Sequence, residues 1–214
     1  MKELIIAAAA EYVDTAPENR ISAEVALSPE LAGVRIFERP IFGFADASDP
    51  MFEELRRPEA VGDCLMLPNE WLGGAKSVIS FFLPFTEEIK ESNAQDLLET
   101  SALWLHGRIE GQAFLNKLTL FIAEKLRDMG CEAVVPSLDK RFKIFRNYNG
   151  LEFTSCWSER HAAFVCGLGT FCLSKGLITE KGVAGRFGSI ITTAALEPSE
   201  RKYSGIYEYC TMCG

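Results

Sequence analysis

Residues 77–85 read SVISFFLPF, and Val78, Ile79, Phe81, Phe82 and Leu83 leave almost no polar interruption in the run. A strand with one wet face alternates apolar and polar residues. A run this continuous is expected of a strand covered on both faces. The chain must therefore supply two layers to enclose it. Pro84 closes the run, because proline offers no N–H to a ladder. With 214 residues, 48% of them hydrophobic and 24% charged, the chain is long enough to build such a core without covalent staples.

The covering layers are legible as helices. Residues 2–16 form an alanine-rich amphipathic segment with Pro17 just beyond it. The pattern over 94–129 places Leu115, Leu118, Ile122, Leu126 and Met129 at three- and four-residue steps, with Gly130 at the expected cap. Gly107 and Gly111 lie four apart within it, and each costs about 1 kcal/mol against alanine inside a helix. They imply either a close backbone approach or a division into two helices. Asp49 followed by Pro50 opens a short helix. Residues 131–137, CEAVVPS, read as a second buried strand. Residues 176–196 read as a hairpin or two strands, the second being GSIITTAAL. Residues 20–50 read as loops with one short strand. Helices and strands alternate without a repeat, so the class is mixed α/β or α+β: a central sheet with flanking helices.

The composition excludes some roles. A net charge of −8 gives no chain-wide attraction to phosphate backbones, so nucleic acid is not an expected partner. The densest basic stretch, DKRFKIFR, reads as a charged strand face around Lys140, Arg141, Lys143 and Arg146. No stretch reaches the roughly 18 apolar residues of a membrane helix. Seven cysteines with no secretory leader place the chain in the cytoplasm, with thiols reduced or metal-bound.

The informative segment is 158–192, with six of the seventeen glycines. Ser158 is placed to cap a helix that opens with Glu159, Arg160 and His161 and ends in the turn Gly167–Gly169. Such a segment suits a pocket for an anionic or flat ligand. It is not a dinucleotide fingerprint, because its Gly-x-Gly ends a helix instead of opening one. His106, alone on the long helix, reads as a structural histidine. At the C-terminus, YCTMCG sets Cys210 and Cys213 three apart. A redox dithiol needs a helix after the motif, and a zinc site or an iron–sulfur cluster needs further ligands.

Residues 158–179, SERHAAFVCGLGTFCLSKGLIT, resemble the corresponding segment of the epoxyqueuosine reductase family and its iron–sulfur relatives. There an Asp-Ser-x-Pro-x-x-Glu-Arg stretch leads, after six residues, into Gly-Leu-Gly-Trp-x-Gly-Lys. Glu159, Arg160, Gly167, Leu168 and Gly169 match, as does the glycine-rich turn RFGSIIT. The family's proton-donating aspartate falls on Phe153, its proline on Cys156, its tryptophan on Thr170, and its later glycine and lysine on Cys172 and Leu173. The resemblance implies a nitroreductase-like or B12-processing-enzyme-like fold over 1–205, and at 206–214 the start of a 4Fe-4S ferredoxin-like module that is cut off. It implies metal ligation by Cys210 and Cys213, and a cofactor, cobalamin or a small molecule, against Arg160, His161, Gly167, Gly169, Thr170, Arg186, Gly188 and Ser189. Arg160 and Arg186 would neutralise ligand carboxylates or phosphates. Electrons would pass from clusters to the corrinoid or substrate, with an electron-donor protein as partner and a homodimer as the assembly. The alternative is a module without catalysis that binds a corrinoid or flavin, or transfers electrons.

Overall fold

The computed structural model describes residues 1–96 and 98–212. In chain order these form α1 (Lys2–Thr15), β1 (Ile41–Asp46), α2 (Pro50–Glu54), α3 (Pro68–Trp71), β2 (Ser77–Pro84), α4 (Glu87–Ala94) and α5 (Ala102–Asp128). Then come β3 (Ala133–Val134), β4 (Ile144–Tyr148), β5 (Leu151–Ser155), α6 (Glu159–Val165), β6 (Gly169–Phe171), β7 (Leu177–Thr179), β8 (Gly185–Thr192) and α7 (Glu208–Met212).

Every residue of β2 is buried, as the apolar run requires. It is one of two inner strands, with β8, of an antiparallel sheet ordered β1-β2-β8-β3. Alternate residues feed two separate cores. Ile79, Phe81, Leu83 and Ile190 face α1 and α5, meeting Ile5, Val13, Phe114, Leu118 and Ile122. Val78 and Ile191 face the other way, onto Trp157 and the buried side of α6 with Phe52 and Trp71. Each fully buried side chain of this size contributes about 1.5–3 kcal/mol, so the two cores supply most of the driving force.

Local chemistry sets the boundaries. The Asp49 carboxylate accepts from Met51 N at 3.0 Å, capping α2 with Pro50 in its first position. Gly107 and Gly111 do not break α5. A Cβ at Gly107 would lie 2.8 Å from the Phe85 ring, and one at Gly111 2.9 Å from the Phe37 ring, so the helix presses its bare backbone onto two phenyl groups. His106 is buried; Nδ1 meets Glu110 Oε2 at 2.8 Å and Nε2 accepts from Leu27 N at 3.1 Å. It is the structural residue the sequence suggests.

Two expectations change, and one open alternative, a hairpin or two strands over 176–196, resolves to two strands. CEAVVPS yields only the two-residue edge strand β3, because Pro136 opens a 3-10 turn. β7 and β8 are strands but not a hairpin: β7 pairs with β6, and β8 pairs with β2 and β3. In DKRFKIFR only the last residues enter β4. Arg141 is pinned to Asp139 at 2.8 Å and lies over the Trp71 ring, 5.0 Å from its centroid. Arg141 holds the Asp139 carboxyl down at about 2.

Candidate functional site

Helix α6 stands on the sheet and carries the first group of candidate residues. Ser158 is its N-cap but makes no capping bond; its Oγ lies 2.7 Å from His161 Nδ1. The His161 ring packs on Phe171, with centroids 4.8 Å apart. Burial, and then the neighbouring Arg160 charge, push the imidazole down to about 4, so it is neutral near pH 7. Arg160 is exposed and donates to the Lys175 carbonyl oxygen in the β6–β7 turn.

Glu159 points inward. Both of its carboxyl oxygens are sealed from solvent with no hydrogen-bond partner. The Ser189 and Ser137 hydroxyls lie nearest and favour the ionised form, without meeting hydrogen-bond geometry. Burial dominates and raises this carboxyl to about 7. Ser189 Oγ accepts from the Trp157 indole N–H at 2.8 Å.

The glycine-rich turn does a second job. Gly167 adopts φ +87° and ends α6, a conformation glycine takes without a Cβ penalty. Just beyond, the β6–β7 hairpin receives the C-terminal segment. Phe171 N donates to Ile206 O at 2.8 Å, and Tyr209 N donates to the buried Thr170 Oγ1 at 2.9 Å. The Tyr203 hydroxyl donates to Phe164 O, and its ring stacks on Phe164 and meets Tyr209 edge-on. The short helix α7, with half-buried Cys210, is thereby seated on the turn. Beside it opens a cleft of about 350 Å³ lined by Phe42, Gly167, Leu168, Thr179, Lys202 and Tyr209, among others. Thr170→Val removes the acceptor for Tyr209 N. It is expected to cost about 1–2 kcal/mol locally and to speed amide hydrogen exchange over 206–212, with exchange elsewhere unchanged.

The structure therefore divides the eight candidate ligand-contact residues. Gly167 borders the open cleft, while Gly169 and Thr170 are buried inside the hairpin. Arg160 and His161 lie on α6. Gly188 and Ser189 are inside the sheet on opposite faces: a Cβ at Gly188 would meet the Phe81 ring at 2.6 Å, and Ser189 faces Trp157. Arg186 is half-buried on the α5 side. These residues do not share one surface. Sequence reasoning passed over Trp157, Tyr203 and Tyr209, whose aromatic rings near a glycine-rich turn were the available signal. It placed Glu159 at the helix opening without its burial.

Cofactor fit follows from this geometry. Among the described residues, no three His, Cys, Asp or Glu side chains converge on a metal position. Cys210 is described and Cys213 lies outside the described residues. Together they are two thiolates, where a 4Fe-4S cluster takes four. The buried glycines and hydroxyls offer no common face to a corrinoid, and the cleft is at the small end of ligand pockets, which run from roughly 300 to 1,000 Å³. This chain alone completes neither group, and no reaction step is derived through either.

Comparison with known proteins decides the fold. The model superposes on an epoxyqueuosine reductase from Bacillus subtilis, whose catalytic aspartate loop is swung out of the active site, with a TM-score of 0.50 and 17% identity. The match covers 99% of this chain and 50% of that one. The chain shares its fold with epoxyqueuosine reductases. A selenomethionine-labelled epoxyqueuosine reductase matches with a TM-score of 0.51, 17% identity and the same coverage. The Streptococcus thermophilus epoxyqueuosine reductase matches with a TM-score of 0.50 and 16% identity, over 81% of this chain and 47% of that one. The chain spans about half the length of the epoxyqueuosine reductases it matches. No protein-family model matches it, and no curated protein matches it in sequence. The mixed α+β sandwich expected from the sequence is the fold observed. No helix among the described residues is long and apolar enough to cross a membrane.

Proposed function

We propose that this chain is the substrate-side portion of a cytoplasmic oxidoreductase resembling epoxyqueuosine reductase. In this reading Cys210 and Cys213 are the first thiolates of an iron–sulfur cluster whose other ligands lie outside the described residues. When bound, the cluster supplies single electrons from a donor protein. The chain's own part is to hold a small substrate, or the edge of a corrinoid, in the cleft beside α7 and to keep water from the His161–Phe171 side of α6. The observation that carries the reading is the seating of the Cys210 helix on the glycine-rich turn, within a fold shared with epoxyqueuosine reductases over 99% of the chain.

The test is anaerobic reconstitution of the natural protein with iron and sulfide. The expected result is bound iron and sulfide with a visible thiolate-to-iron absorption, both strongly reduced by Cys210→Ser. Iron content indifferent to that substitution overturns the cluster reading. Corrinoid titration of the same preparation tests the second group: a shifted corrinoid spectrum, lost when Tyr209 is replaced by alanine, supports the cleft as its edge.

One observation favours a module without catalysis. The position that carries an aspartate in the related motif is Phe153, which is 61% exposed on β5. A phenyl ring donates no proton. Stoichiometric corrinoid or flavin binding without turnover of any acceptor would select this second reading.

A further inference from the structure

The segment that follows α1 is tied to α5 through His106. Leu27 N can only donate, so His106 Nε2, which accepts from it at 3.1 Å, carries no proton. The proton of the neutral ring is therefore on Nδ1, and it is donated to Glu110 Oε2 at 2.8 Å. The ring is 3% exposed, so packing fixes it in place. It holds the Glu110 carboxylate four residues further along the helix. The second oxygen, Oε1, makes no hydrogen bond among the described residues.

Glu110 lines a cavity of about 290 Å³ between α5 and the stretch 17–25. The Phe114 side chain and Val25 give this cavity apolar surface, and Arg20 lines it too. Arg20 Nη1 donates to Gly33 O at 2.8 Å, which orients the guanidinium and leaves its Nε–Nη2 edge open. The other two charged residues of the wall, Glu18 and Lys117, hold each other at 2.8 Å. The cavity thus presents one carboxylate and one guanidinium that no opposite charge of the protein matches, beside apolar surface. At about 30 Å³ per water molecule, the volume admits roughly ten non-hydrogen atoms.

We propose that this cavity binds a free amino acid with an aliphatic side chain. The ligand ammonium donates to Glu110, its carboxylate takes the open edge of Arg20, and its side chain lies against Phe114 and Val25. An aliphatic amine or an aliphatic acid matches one of the two charges and sets the other against hydrocarbon, at a cost in affinity. A neutral apolar molecule matches neither. The site shares no residue with the cleft beside α7, goes beyond the redox reading and stands without it.

The experiment is calorimetric titration of the natural protein with L-leucine in low-salt buffer. Isoamylamine and isocaproate, which are leucine without its carboxylate and without its amine, form two further arms. The variants are Arg20→Gln and Glu110→Gln. Arg20 is exposed, and glutamine at 110 keeps a carbonyl acceptor for His106 Nδ1–H; circular dichroism and the thermal midpoint without leucine verify both folds. The expected result is saturable leucine binding, weakened about tenfold or more in each variant and for each analogue, as loss of one charge-assisted hydrogen bond implies. Absence of saturable leucine binding, affinity unchanged in either folded variant, or an analogue that binds as tightly as leucine overturns the site. Should Glu110→Gln unfold, Arg20→Gln and the two analogues still decide. Iron content after reconstitution of the same samples reports on the cluster reading separately, so failure of one is distinct from failure of the other.

Discussion

Replacing Gly169 by alanine is expected to cost on the order of 3 kcal/mol or more and to release the C-terminal segment. A Cβ at this position would overlap the Ile178 carbonyl oxygen and approach the carbonyl carbon at 2.7 Å and Thr179 Cα at 3.2 Å. All three atoms are backbone, so no rotamer change relieves the clash. Overpacking that forces main chain to move lies at or above the usual 1–3 kcal/mol range. Gly169 and Thr179 are direct partners across the β6–β7 ladder, so the hairpin must open to admit the methyl group. The same hairpin holds Ile206 and Tyr209, so the damage is transmitted to α7. Gly73→Ala is the control. A Cβ at Gly73 meets nothing within 4 Å and its backbone is not left-handed, so alanine should be neutral or stabilise by about 0.4–1 kcal/mol. Urea unfolding measures both, and limited proteolysis reports the release of 203–212. A wild-type midpoint in Gly169→Ala would show that the β6–β7 pairing is not as described.

The second large effect is electrostatic. Glu159→Gln is expected to stabilise the protein by up to about 3 kcal/mol at pH 7 and above, and by little below pH 4.5. The sign follows from the raised carboxyl. The ordinary value is 4.5 and the folded value about 7. Between those values the unfolded chain has released the proton and the folded chain still holds it. Stability therefore falls as pH rises through the window, at about 1.4 kcal/mol per unit. The uncharged amide removes this slope. His161 works in the opposite direction: held at about 4 against an ordinary 6.5, it contributes stability that is present above 6.5 and lost as pH falls toward 4. The two slopes partly cancel in the wild type. In Glu159→Gln only the acid-side loss remains, so unfolding free energy should climb from pH 4 to 6.5 and then level off. Denaturant titrations at half-unit pH intervals measure the difference between the two proteins. A difference that does not grow between pH 4.5 and 7 removes the buried ionisable carboxyl from the account.

Much of the scaffold was readable from residue chemistry. The unbroken apolar run of β2 gave a doubly covered strand. Asp49–Pro50 gave a helix start and Gly167 a helix end, while Gly107 with Gly111 left a close approach and a division into two helices both open, and the Phe85 and Phe37 rings decide for the first. What escaped was non-local. Nothing in GLITEKGVAGRF states that its two strands join different sheets, because pairing is chosen by distant partners. The burial of Glu159 depends on α6 lying over Ser189, thirty residues onward. One local signal was passed over: Asn149–Gly150, with φ of 47° and 83°, is the two-residue turn of the β4–β5 hairpin, just beyond the DKRFKIFR stretch read as a charged strand face. The candidate site was legible only as a glycine-rich region. Its glycine at 169 is explained by the Ile178 carbonyl.

Ser80 and Ser189 sit directly opposite each other in the β2–β8 ladder, both fully buried. On the Trp157 side of the sheet, Ser189 has the indole N–H and Ser80 Oγ reaches Gly188 O at 3.4 Å. Were either strand to slip by one residue, its hydroxyl would turn into the aliphatic layer beneath α5 while a bulky side chain took its place against Trp157. The serine pair thus marks the register: a sheet misaligned by one residue buries a hydroxyl among aliphatic side chains and gives up the bond to the indole.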